Sequence, residues 1–102
     1  MFHQQFAADV HAEQTALMAV SQRPGRDVAL TEDSGAPAWK SIPSWFVFGE
    51  LDKNIPAALH RFMAERAGAR EIVEIEGASH AVSVSRPEEV ADVILRAIKA
   101  VE

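Results

Sequence analysis

Cysteine is absent from the 102 residues, which excludes both a disulfide framework and a thiolate nucleophile. Long apolar runs are missing as well, and nothing approaches the ~20 residues that a membrane-spanning helix needs. The opening stretch MFHQQFAADVHAEQ is broken by polar residues and lacks the basic lead of a secretory signal, so a cytoplasmic location is expected. Blocks of like charge are absent too. The net charge of −5 is spread over interleaved acids and bases, which argues against a nucleic-acid footprint and against attraction to an anionic membrane. Small molecules are the expected partners. There is no internal repeat, no low-complexity tract, and no HExxH or other metal spacing to join His3 and His11, so neither metal nor cofactor is expected.

What is present fits one globular unit, with 48% hydrophobic and 25% charged residues. A chain of this length buries roughly 60–70% of its unfolded surface, enough for one core but not for a full doubly wound sheet with its helices. To about Pro24 the composition is that of a helix, with an irregular apolar stripe at Val10, Leu17 and Val20. Residues 25–37 are polar and rich in breakers and form a connection; a short helical turn is expected at Ala38–Lys40. SWFVFGE, from Ser44 to Glu50, is a continuous apolar run between Pro43 and Gly49, the pattern of a parallel strand covered on both faces.

Pro56 then marks the first turn of a helix that presents Leu59, Phe62 and Met63 on one face and ends at Gly68. Residues 71–76 form a second strand. After GASH and the apolar stretch AVSV, a last helix is expected, with Ser85 and Glu88 spaced as a capping box, Pro87 in the first turn, and Val90, Ile94, Ala97, Ile98 and Val101 on the buried face. The order is βαβα. A right-handed crossover between parallel strands brings both carboxyl ends to one sheet edge, where open α/β sheets place their ligands. Asp52 and His80 lie just beyond those two ends, in the chain order of the last two members of a Ser…Asp…His triad.

FGELDKNIPAALHRFMAERAGA and VEIEGASHAVSVSRPEEVADVI resemble the C-terminal part of α/β-hydrolase fold enzymes, with the esterase and hydroxynitrile-lyase-like branch nearest. The resemblance covers residues 37–102 well and residues 1–36 loosely. It implies a partial α/β-hydrolase fold: 1–36 as cap-region helix and linker, 37–102 as the C-terminal part of the core, with two parallel strands. It also implies that Asp52 is the triad acid and His80 the triad base. In that mechanism a serine attacks an ester carbonyl, the histidine moves the proton, and the aspartate orients the imidazole and stabilises its charged form.

The other candidates carry less. His60, within a helix beside Arg61, is expected on the surface. Trp39, Trp45, Phe46 and Phe48 are expected to be core around the first strand. Arg61, Glu65, Arg66 and Arg70 form a charge pattern expected to pair along one helix surface. The nucleophile is the gap: no G-x-S-x-G occurs, Ser34 follows Asp33 in a polar linker, and Ser79 stands beside His80 in the wrong order.

The expectation is therefore a truncated or split frame, whose unpaired apolar strand edge favours a homo-oligomer or association with another chain. Its function is part of a hydrolase of small carboxylic esters. The alternatives are a non-catalytic remnant or oligomerising module, or a different chemistry on the scaffold such as cyanohydrin cleavage or a cofactor-free oxygenase reaction.

Overall fold

The structure, a computed structural model, describes all 102 residues. The elements run α1 (Phe2–Phe6), α2 (Ala12–Val20), α3 (Val28–Thr31), a 3-10 turn at Ala38–Lys40, β1 (Trp45–Gly49), α4 (Ala57–Arg66), β2 (Glu71–Ile75), α5 (Val82–Ser85) and α6 (Pro87–Val101). The two strands form one parallel sheet in a register that runs from Trp45 opposite Glu71 to Gly49 opposite Ile75. The fold is therefore α/β, with the βαβα order expected.

Local signals set these elements. Pro43 and Gly49 bracket β1, and Pro56 occupies the N-cap of α4. That helix ends in a Schellman motif, in which Gly68 N–H bonds the Glu65 carbonyl and Ala69 N–H bonds the Ala64 carbonyl. Gly68 stands there at φ +63°, a conformation that costs glycine little. Alternate residues of β1 point to opposite faces: Phe46 and Phe48 toward α4, Trp45 and Val47 toward α6.

The core is small, with 12 of 102 residues buried. Phe48, Ala64, Ile75, Ala78 and Val93 are five of its buried apolar residues. The other three, Ala7, Val10 and Ala81, pack together as a cluster flanked by Phe6 and Met18, which ties the N-terminal arm to the loop after β2. The radius of gyration of 15.2 Å exceeds the ~13 Å of a compact domain of this length, in keeping with so thin a core.

Several expectations are corrected. The helix expected to run to Pro24 is broken between Phe6 and Ala12, because Asp9 bonds Ser79 and Val10 is buried against Ala81 rather than in a helical stripe. Leu17 and Val20 are exposed. The connection after Gly25 contains the one-turn α3, and AVSV folds as α5. Ser85 belongs to α5 and bonds the Ala81 carbonyl; the N-cap of α6 is Arg86, without a side-chain cap.

The expected burial patterns shift as well. β1 is buried only at Phe48 and Gly49. On α4 the face toward the sheet is His60 and Ala64, while Leu59 and Phe62 stay exposed. On α6 Val93 is buried, whereas Ile94, Ile98 and Val101 line an open groove against Trp45 and Val47. Of the four aromatics expected as core, only Phe48 is buried; Trp39 lies at the surface between Lys40 and Arg66. The charges expected along α4 pair off the helix: Arg61 with Glu74 and Arg66 over Trp39 at 5.1 Å, while Arg70, past the end of α4, lies over Trp45 at 5.6 Å.

Candidate functional site

Beyond the paired ends Gly49 and Ile75, the two loops are stitched together by backbone. Glu50 N–H bonds the Ile75 carbonyl at 3.0 Å, and Leu51 N–H bonds the Ala78 carbonyl at 2.9 Å. The Glu50 carboxylate accepts from Gly77 N–H at 2.8 Å. Gly49 makes the approach possible: a Cβ there would lie 2.2 Å from the Ser79 carbonyl oxygen and 2.4 Å from that of Ala78. Ser79 in turn is buried, and its hydroxyl donates to Asp9, whose other oxygen faces Arg86 at 3.8 Å. Burial raises the Asp9 carboxyl, but bonds from Ser79 and Ser85 outweigh it and hold the group below its ordinary range. The N-terminal arm thus braces the loop that carries His80.

The structure brings Asp52 and His80 together. Asp52 is 8% exposed and closes the turn before α4, its Oδ1 accepting from Asn54 N–H at 2.8 Å and Ile55 N–H at 3.0 Å. Its Oδ2 meets His80 Nδ1 at 2.7 Å. The His80 ring packs against Phe6, with centroids 4.7 Å apart, and its Ala81 neighbour bonds the Phe6 carbonyl.

A third residue, which the sequence reading placed on the surface, lies in the same cluster. His60 reaches Oδ2 of Asp52 with Nε2 at 2.8 Å, and its ring stacks on Phe48 at 4.8 Å and 15°. The correction has a simple cause. His60 shares the sheet-facing side of α4 with Ala64, one turn on, and small residues mark where a helix comes closest to a sheet. The available signal was a histidine on that small-residue face, directly after the Asp52 turn.

Electrostatics fixes the proton positions. Burial raises the Asp52 carboxyl, but bonds from Ile55 N–H, His60, His80 and Asn54 N–H outweigh it and bring it down to about 2. The group is a carboxylate with acceptors only, so both facing nitrogens carry protons: Nε2–H on His60 and Nδ1–H on His80. Neutral His80 then keeps its lone pair on Nε2, which has no hydrogen-bond partner within the chain. Such an imidazole can take a proton at Nε2 while Asp52 stabilises the resulting charge.

The same three side chains offer ligand atoms within 4.8 Å of one another. A tetrahedral ion with ligands at ~2.0–2.1 Å separates them by about 3.3 Å. The observed 2.7 and 2.8 Å contacts among them are hydrogen-bond distances. No helix is long and apolar enough to cross a membrane.

Comparison with known proteins agrees with this architecture. A family described as "Alpha/beta hydrolase family" matches residues 1–93. Among curated proteins, norfluorocurarine synthase 2 from Strychnos sp is 31% identical over 63 residues, which is 62% of this chain and 24% of that protein. Among solved structures, polyneuridine aldehyde esterase superposes with a TM-score of 0.79 at 23% identity, over 93% of this chain and 39% of the other. A mutant of that esterase gives 0.79 at 22% identity, with the same coverage. The chain therefore spans about a quarter of the length of the synthase and well under half of the esterase.

Proposed function

The chain belongs to the alpha/beta hydrolase family, and from that premise we propose that Asp52 and His80 are the acid and base of an esterase-type triad whose serine lies outside these 102 residues. The observation that carries the reading is the 2.7 Å bond from His80 Nδ1–H to a buried carboxylate, which leaves Nε2 with a free lone pair beyond the strand ends. The absence of any G-x-S-x-G in the sequence supports an external nucleophile, and the likeness to an esterase favours carboxylic esters as the substrate class.

The chemistry follows from the proton inventory. His80 Nε2 accepts the proton of the serine hydroxyl as its oxygen bonds the ester carbonyl carbon, and the imidazolium stays paired with Asp52. The tetrahedral intermediate collapses, the C–O bond to the alcohol breaks, and His80 returns the proton to the leaving oxygen. Water repeats the cycle on the acyl-serine, releasing acid and serine. In this reading residues 1–36 are the end of a cap region, with Phe6 against the His80 ring as the contact between cap and base.

A chimera tests this. The whole 102-residue chain is fused behind the part of polyneuridine aldehyde esterase that it does not match, and p-nitrophenyl acetate hydrolysis is measured. We expect turnover that falls on the order of 1000-fold or more in His80→Ala, as for removal of a triad member. Equal turnover in that variant defeats the assignment. By itself the chain is a non-catalytic module in this reading, so a fluorophosphonate probe should leave it unlabelled; stoichiometric labelling of a serine contradicts an external nucleophile.

A further inference from the structure

We propose that His60 is a positioning residue of this site: its Nε2–H pins Oδ2 of Asp52, so that the carboxylate stays turned toward His80 whatever the His80 ring does. The proposal rests on the reading of Asp52 and His80 as acid and base.

Four observations carry it. The Nε2 to Oδ2 contact is 2.8 Å, as short as the His80 contact on the same oxygen. The His60 ring stacks flat on Phe48, itself 3% exposed, at a centroid distance of 4.8 Å, which holds it beside the carboxylate. The side chain of His60 is 14% exposed against 26% for His80, which makes His60 the fixed imidazole and His80 the accessible one. Finally, Oδ1 is already occupied by two backbone N–H groups, so His60 supplies the one rigid donor on Oδ2.

The physical need is plain. Rotation of a carboxylate about its last side-chain bond is soft and two-fold, and a loop histidine is a weak restraint on it. With donors on both oxygens, three of them on rigid backbone or a stacked ring, Asp52 keeps its orientation and charge while His80 cycles between neutral and protonated forms. The titratable groups facing Asp52 are His60 from α4 and His80 from the loop after β2.

Two substitutions separate donor from packing. His60→Phe keeps a ring on Phe48 and loses the N–H; His60→Gln loses the ring and can donate from its amide to the same oxygen. The carboxyl 13C signal of Asp52 is followed through acid titration of the 102-residue chain, together with nitrogen shifts of both rings in the unsubstituted protein at pH 8. We expect His60 as the Nε2–H tautomer, an Asp52 midpoint raised by about one pH unit in His60→Phe, and a midpoint near the original in His60→Gln.

An Nδ1–H tautomer at His60, an unmoved midpoint in His60→Phe, or a midpoint moved as far by Gln as by Phe overturns the proposal. The tautomer measurement and the Gln variant decide it even where the Phe variant does not fold. If instead the unsubstituted chain shows His80 as the Nε2–H tautomer and Asp52 titrating near 3.8, the Asp52–His80 pair itself is absent, and the proposed function fails with it.

Discussion

The loops beyond β1 and β2 and the groove between β1 and α6 flank the same five-residue strand, and they are finished to different degrees. Past the strand ends, Asp52 uses both carboxylate oxygens, Ser79 and Glu50 have partners, and the backbone of one loop bonds the other. On the α6 side, Trp45, Val47, Ile94, Ile98 and Val101 line an open apolar groove of about 410 Å³ with no element of this chain across it. Polar geometry at the strand ends is thus specified within the chain, whereas the apolar burial that stabilises a sheet is left incomplete. The lesson is that a site's hydrogen-bond frame and the core beneath it need not reside in the same stretch of sequence.

The strongest way to break the finished end is at Gly49. Gly49→Val places a branched side chain where a single Cβ already lies 2.2 Å from a backbone oxygen, so the loops must part. We expect a loss of about 3 kcal/mol or more in urea unfolding, at the upper end of single-substitution effects, with the His80–Asp52 bond lost alongside. A loss below about 1 kcal/mol would mean that the loops are less tightly joined than the hydrogen bonds indicate.

Acid is the next lever. The Asp52 carboxyl is depressed in the fold from 3.8 to about 2, so its contribution is fully present above pH 4 and disappears as pH falls toward 2. That difference corresponds to about 2 kcal/mol. Stability measured by denaturant titration should decline over this window by at least that amount, and Asp52→Asn should shrink the decline by about 2 kcal/mol, leaving the part due to Asp9, which the fold also holds below its ordinary range. A variant with an unchanged acid limb would place the titrating group elsewhere.

The contrast between the two regions also explains what the sequence made legible. β1, α4, β2 and α6 were readable because Pro43, Gly49, Pro56, Gly68 and Pro87 act on their own neighbours. The pairing of Asp52 with His80 was readable because parallel strands end on one edge. Which side of α4 and α6 faces inward was not readable, because apolar periodicity marks the face that wants burial and here that face has nothing to bury against. Leu59, Phe62, Ile94 and Ile98 are exposed for this reason. The break in the N-terminal helix was hidden too, since it depends on Asp9 reaching Ser79 across seventy residues. His60 was missed by the same rule: its place is set by the sheet it approaches and not by its polar neighbours.

The groove offers the smallest change in folding and the clearest change in association. Its apolar lining and the unpaired edge of β1 lead us to propose that the isolated chain associates with a second copy, since an apolar surface and open strand edge left in water favour pairing. Ile98→Lys puts a charge at a position that is 48% exposed, so the fold should lose no more than about 0.5 kcal/mol. In an association buried on this groove, the same charge loses its hydration, and the apparent dissociation constant should rise at least about tenfold, the equivalent of ~1.4 kcal/mol. Light scattering at tens of micromolar reads both states. Association by the unsubstituted chain that survives Ile98→Lys would move the contact away from the groove, and a monomer throughout would show that the bare face of β1 and α6 is tolerated in water.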